Sequence, residues 1–356
     1  MGDMSQLKDK RKNEMLNNWK PPEDWKVITT IDAHAAGEPL RIITTGLEEI
    51  PGNTILEKRR YAQRNLDYLR QGLMWEPRGH ADMYGAILTE PVTPDGDLGV
   101  LFLHNEGFST MCGHGIIALT TVILDTGIII KEEQDPVLRI DTPAGRVKAT
   151  AHREKGRVAS VSFLNVPSFV YRLDQEIEVE GIGPVRYDVA FGGAFYAFCS
   201  AEELEVRLQP EDAHQLIDYG RRIKNAVMES LPIEHPFEKD LGFLYGTIFV
   251  SQPLTPGHHS RNVCIFAEGE VDRSPTGTGV SARAAIHYKR GELPLGNQII
   301  IESILGTCFS VRATETLEFG PYEAVIPEVT GSAFIVGQNK FFFDPKDPLR
   351  NGFILR

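Results

Sequence analysis

The 356-residue chain lacks the sequence features of several large protein classes. It has no apolar run near the roughly 20 residues that a membrane helix requires. Its opening stretch, MGDMSQLKDKRKNEMLNNWKPPEDW, is charged throughout and does not read as a secretory signal. Cysteine is sparse: Cys112, Cys199, Cys264 and Cys308 stand far apart with no CxxC pair, which argues against a disulfide framework or structural zinc site. Basic charge is also in deficit, 37 Lys and Arg against 49 Asp and Glu, whereas nucleic-acid binders carry a basic stripe. The expectation is a soluble, cytoplasmic protein with no nucleic-acid or membrane partner.

What the chain does have is glycine, 33 residues, and a hydrophobic fraction of 42%. Its length suits two domains, each with its own core. Residues 1–24 read as a polar extension, with a short helix ahead of Pro21 and Pro22. Order is expected from WKVITTIDAHAAGEPLRIITTG, where two β-rich runs flank the small turn AHAAGEP. NTILEKRRYAQRNLDYLRQGLM follows helical spacing and reads as one surface helix, and residues 201–230 as mostly helical. In CGHGIIALTTVILDTG the residues after the glycines are apolar or small on every face, which predicts a short buried helix closed by Gly127. Cys199, Cys264 and Cys308 lie in strand-like surroundings and read as small buried hydrophobes.

A second glycine turn, SPTGTG, repeats the first at an offset of 164 residues. Thr276 then aligns with Cys112, Gly277 with Gly113, Gly279 with Gly115, Ala282 with Ala118 and Gly291 with Gly127. Within a matching strand–turn–helix–strand order, this suggests internal duplication, with the equivalent turns meeting at a cleft. Each turn opens a helix, so unpaired amides near Gly113 and His114, and near Gly277 and Thr278, could together bind a carboxylate. Two ordinary helix caps would look the same.

Cys112 is the strongest candidate for chemistry. A helix start favours its thiolate, which can act as a base or a nucleophile; the bland alternative is a buried cap-side cysteine. His114 stands two residues on and could bond substrate or thiolate. Asp272 could hold a cationic nitrogen, or simply form a turn. Thr276 keeps hydrogen bonding but is far too weak an acid to copy Cys112. No metal-ligand cluster is evident, and the adjacent His258 and His259 read as a solvated turn.

EPRGHADMYGA, NEGFSTMCGHG, DVAFGGAFYAF and VDRSPTGTGVSARAA together resemble the proline racemase family, over nearly everything from residue 26 onward. The resemblance implies an α/β protein of diaminopimelate-epimerase-like fold: two pseudo-symmetric lobes, each with strands wrapped around a central helix. Lobe boundaries are expected at 25–162, completed by 340–356, and 163–339. The implied active site lies between the lobes, needs no cofactor and takes a small imino acid; a homodimer is the implied assembly. Family racemases set two cysteines on opposite faces of the substrate Cα. Here Cys112 matches the first, His114 and Asp272 match family positions, and Gly277 and Thr278 match the carboxylate-binding turn. Thr276 stands in place of the second cysteine, a pairing that resembles the branch dehydrating trans-3-hydroxy-L-proline. Ala35 and Ala36 depart from the family pattern at the pocket edge. A racemase or 2-epimerase, and a non-catalytic amino-acid-binding module, are the competing readings.

Overall fold

The computed structural model describes residues 19–355, so the expected leader helix ahead of Pro21 lies outside the described residues. The chain forms an α/β fold whose strands join in one 17-stranded hydrogen-bonded network. Strand β1 (Lys26–Ala35) and β2 (Glu38–Thr45) flank the AHAAGEP turn as expected. There Ala36 and Gly37 both take positive φ, 52° and 97°, to make the tight reversal. β1 also pairs antiparallel with β17 (Ala333–Phe343), which ties the start of the chain to its end through Lys26 opposite Phe343.

The expected single surface helix is two. Helix α1 (Ile55–Asn65) and helix α2 (Asp67–Met74) break at Leu66, whose φ of −120° is non-helical. Neither is purely superficial. Arg59 and Arg70 are buried and donate to the carbonyls of Phe108 and of His104 and Asn105, anchoring the segment before the first glycine turn. The helical content expected over 201–230 is confined to α4 (Ala213–Ser230), preceded by a 3-10 turn at Pro210–Asp212.

The two glycine turns each open a 13-residue helix, α3 (Gly113–Asp125) and α5 (Gly277–Lys289). Both ends of the two helices keep the offset of the sequence repeat. Gly127 and Gly291 close them with φ of 72° and 74°, left-handed positions that glycine adopts without a Cβ penalty. From Gly113 to Leu124, α3 is buried on every side, packed against β1, β2, β17, β6 (Gly145–Glu154) and β7 (Arg157–Leu164). Each fully buried Ile, Leu or Val there contributes about 1.5–3 kcal/mol by leaving water. Helix α5 packs against β8 (Ser168–Val179), β9 (Gly183–Phe191), β10 (Phe195–Ser200), β15 (Cys308–Phe319) and β16 (Tyr322–Gly331).

Candidate active site

The two helices meet N-terminus to N-terminus, and only glycine permits the contact. A Cβ built on Gly113 would lie 2.5 Å from Gly277 Cα, and one on Gly277 would lie 2.5 Å from Gly113 Cα. Backbone fills the space on both sides, so no side chain could swing away. The approach sets the first-turn amides of both helices beside one small cavity of about 20 Å³. Cys112, Gly113, His114, Asp272, Thr276, Gly277 and Thr278 all line it, so every expected site residue is brought together. Two positive helix ends converging on one small space make a natural seat for a carboxylate.

The helix starts differ at the residue that matters. Cys112 is extended, φ −145° and ψ 108°, and its sulfur caps its own helix by accepting from Gly115 N–H at 3.2 Å. The same sulfur is 3.2 Å from His114 Nδ1. Thr276 instead has φ 68° and ψ 96°, and its side chain makes no capping bond. Positive φ in a β-branched residue is a strained outlier, worth about 1–3 kcal/mol. Thr276 Oγ1 is buried and without a hydrogen-bond partner among the described residues, though the Asp272 carboxyl and Cys264 thiol flank it.

Protonation departs from the sequence expectation. A helix start should favour thiolate, yet burial pushes the Cys112 thiol well above its ordinary value. The Gly115 amide pulls it down, while the nearby Asp272 and Glu38 carboxyls push it further up. Desolvation therefore wins over the helix end, and the thiol is neutral in the closed site. Burial also lowers His114 to about 3, which keeps its ring neutral beside the sulfur. Asp272 is raised by burial to about 6, even with its carboxylate accepting from Ser274 N–H at 2.7 Å.

Several wall residues carried no distinguishing sequence signal. Tyr84 from β3 (Tyr84–Thr89), Tyr196 from β10 and Tyr245 from β11 (Leu244–Ser251) bring three phenols, each raised by burial and so protonated. Tyr196 hydroxyl lies 2.7 Å from Thr278 Oγ1, and Tyr84 donates to Ser109 Oγ at 2.6 Å. Cys264 in β12 (Ser260–Phe266) is buried as expected, but it is also part of the cavity wall, directly opposite Asp272 of β13 (Glu270–Asp272) in the ladder. Cys199 is buried away from the cavity and Cys308 is half-buried.

The AHAAGEP turn does not line the cavity. It reaches the site through buried Glu38, which accepts from Arg273 N–H at 2.8 Å and so locks the residue after Asp272. His258, expected in a solvated turn, instead sits 2.8 Å from the buried carboxylate of Glu302, and His259 packs edge-on against His287. Among the described residues no group of three or more His, Cys, Asp or Glu side chains is arranged to hold a metal ion. Nor is any helix among them long and apolar enough to cross a membrane.

Known proteins match the chain in sequence and in fold. A protein of Colwellia psychrerythraea named trans-3-hydroxy-L-proline dehydratase is 49% identical over 344 residues, covering 96% of this chain and 97% of its own. One of the same name from Bacillus cereus is 47% identical over 330 residues, covering 93% and 98%. Among solved structures, a hydroxyproline epimerase of Agrobacterium vitis with bound trans-4-OH-L-proline superposes with a TM-score of 0.89 at 30% identity, over 94% of this chain and 96% of that one. A PhzF-family protein of Bacillus anthracis shares the fold alone, with a TM-score of 0.59 at 10% identity. The proline racemase sequence pattern matches residues 30–354, and with relatives near half-identical along their whole length, the chain belongs to the proline racemase family.

Proposed function

We propose that the chain is a cofactor-independent hydro-lyase that converts trans-3-hydroxy-L-proline to Δ1-pyrroline-2-carboxylate. The observation that carries this reading is the unequal pair at the helix starts: a thiol at Cys112 and a hydroxyl at Thr276 across the same cavity. The relatives of that name support it.

The substrate carboxylate sits between the amides of Gly113 and His114 and those of Gly277 and Thr278. Its cationic ring nitrogen lies near Asp272, and Thr276 Oγ1, set between the Asp272 carboxyl and the Cys264 thiol, supplies a further hydrogen bond. The arriving cation offsets the Asp272 and Glu38 charge that adds to burial in raising the Cys112 thiol, which eases loss of its proton. Cys112 then removes the Cα proton, and fixed donors in the dry cavity stabilise the developing charge. In the trans substrate the Cα hydrogen and the C3 hydroxyl share a ring face. The carbanion's electron pair forms the C2–C3 double bond as the C3–O bond breaks, and the Cys112 thiol, assisted by His114, returns its proton to the departing oxygen. Water leaves, the thiolate is restored, and the enamine tautomerises to the imine.

The same reading takes the chain as two pseudo-symmetric lobes with α3 and α5 as their central helices, over residues 25–162 with 340–356 and 163–339. Pairing of β1 with β17 supports the return of the C-terminus to the first lobe. A cytoplasmic homodimer belongs to the reading on the family resemblance.

One observation favours a second reading. Cys264 adds another thiol to the wall beside Thr276, and with it a proton donor for Cα inversion in a racemase or 2-epimerase. Its thiol is held high by burial, with no helix end behind it. A panel of trans-3-hydroxy-L-proline, trans-4-hydroxy-L-proline and L-proline, read for both cyclic imine and Cα inversion, separates the readings. Dehydration predicts imine from the first substrate alone. Inversion of any of the three without imine overturns it.

A further inference from the structure

The cavity has a polar wall that the carboxylate, nitrogen and Cα positions do not use. Tyr84 is buried, and its ring is fixed on two sides. It meets the His114 ring edge-on at 4.8 Å and stacks on the His104 ring at 5.6 Å. His104 is itself held 3.0 Å from Glu270 Oε1, so the support behind Tyr84 is a fully buried pair. The Tyr84 hydroxyl donates to Ser109 Oγ at 2.6 Å and stands 3.3 Å from the Tyr245 hydroxyl. Tyr245 in turn stacks on Phe266 at 5.3 Å.

The three tyrosines are not equivalent. Tyr196 is committed to Thr278 on the second glycine turn. Tyr84 belongs with Cys112 and His114: it packs against the His114 ring, whose Nδ1 is 3.2 Å from the Cys112 sulfur. A phenol both donates and accepts, which matches an alcohol on the ligand. On the proposed substrate the one alcohol lies on the ring face from which Cys112 takes its proton, and Tyr84 is the rigid hydroxyl on that side.

We propose that Tyr84, set in its cluster with Ser109 and Tyr245, hydrogen-bonds the C3 hydroxyl of the substrate and is the residue that selects a 3-hydroxylated ring. This assignment rests on the dehydratase reading. As the C3–O bond breaks, the phenol O–H turns from Ser109 Oγ to the substrate, steadies the charge growing on the leaving oxygen and remains a phenol afterwards. The proton that completes water comes from the Cys112 thiol. Burial keeps the phenol protonated for that task, and the same hydroxyl draws the Cys112 thiol downward. A ring without the C3 hydroxyl leaves the cluster facing carbon, the situation in which polar pockets reject an analogue.

The test compares the full-length chain with Tyr84→Phe and Tyr245→Phe. Imine formation from trans-3-hydroxy-L-proline gives kcat/KM. Competitive inhibition by L-proline, which lacks only the hydroxyl, gives a binding constant for the rest of the site. Tyr84→Phe is expected to lower kcat/KM about 30-fold while the L-proline constant stays within about twofold, and Tyr245→Phe to fall between parent and Tyr84→Phe. Undiminished dehydration by Tyr84→Phe overturns the assignment. So does an equal loss in both readouts, the mark of a merely structural role. If the parent forms no imine, the dehydratase reading fails first and takes the Tyr84 assignment with it, whereas an active parent with an active Tyr84→Phe sinks the Tyr84 role alone.

Discussion

Gly113 and Gly277 touch backbone to backbone, each placed so that a methyl on one would lie 2.5 Å from the other's Cα. Gly277→Ala must therefore push the helices apart. The expected cost is about 1–3 kcal/mol of stability, as for other overpacked sites. Separating the amides of His114 and Thr278 by even about 1 Å should lower kcat/KM about 100-fold. Thermal unfolding and turnover, measured on the same preparation, check both; unchanged values in either would contradict the contact.

Cys112→Ser keeps a capping oxygen for Gly115 N–H but removes the thiol. Dehydration is expected to fall roughly 10²- to 10⁴-fold, with the fold intact by circular dichroism. The parent should also wash deuterium into the Cα position of substrate recovered from D₂O, and the variant should not. A fully active Cys112→Ser would remove Cys112 as the base.

In the proposed reaction Asp272 should give the acid limb of the pH profile. Its carboxyl is raised to about 6, so it is ionised above that pH and neutral below. A neutral Asp272 would lose the attraction proposed for the cationic ring nitrogen. kcat/KM should then drop about tenfold per unit as pH falls below about 6, mainly through KM. Asp272→Asn should weaken binding at neutral pH and flatten that limb. A profile flat from about pH 5 to 8 in the parent would contradict the role.

Cys264→Ala separates the two chemistries. With Cys112 as the only working thiol, imine formation should stay within about threefold of the parent, with a stability loss of about 0.5–3 kcal/mol for a truncated buried side chain. Loss of a Cα inversion activity in this variant would instead assign Cys264 as the opposite-face acid.

The glycine turns were legible because their signal is local. Helix starts, an all-apolar helix and left-handed closing glycines leave marks within about 15 residues of chain. That is why Cys112, His114, Asp272, Thr276, Gly277 and Thr278 could be named before their cavity was seen. Tyr84, Tyr245 and Cys264 could not. Their strands are buried along nearly their whole length, β12 at every position, so no alternation of polar and apolar residues marks the face that lines the site. The Cys112 protonation state was equally hidden, since the helix end is a local effect and desolvation belongs to the assembled fold. The break at Leu66 shows the same limit: helical spacing runs on through it, and its non-helical φ is seen only in the fold.

The conformation of Thr276 bears on how inversion and elimination could diverge within one fold. Cys112 hangs from an extended backbone and Thr276 from a left-handed one, φ −145° against 68°. The two turns are not interchangeable parts that differ by one side chain. A sulfur grafted at 276 would leave the main chain along a different line from the one at 112. The asymmetry between the two turns is thus carried twice at this position, in the identity of the residue and in the handedness of the chain that bears it.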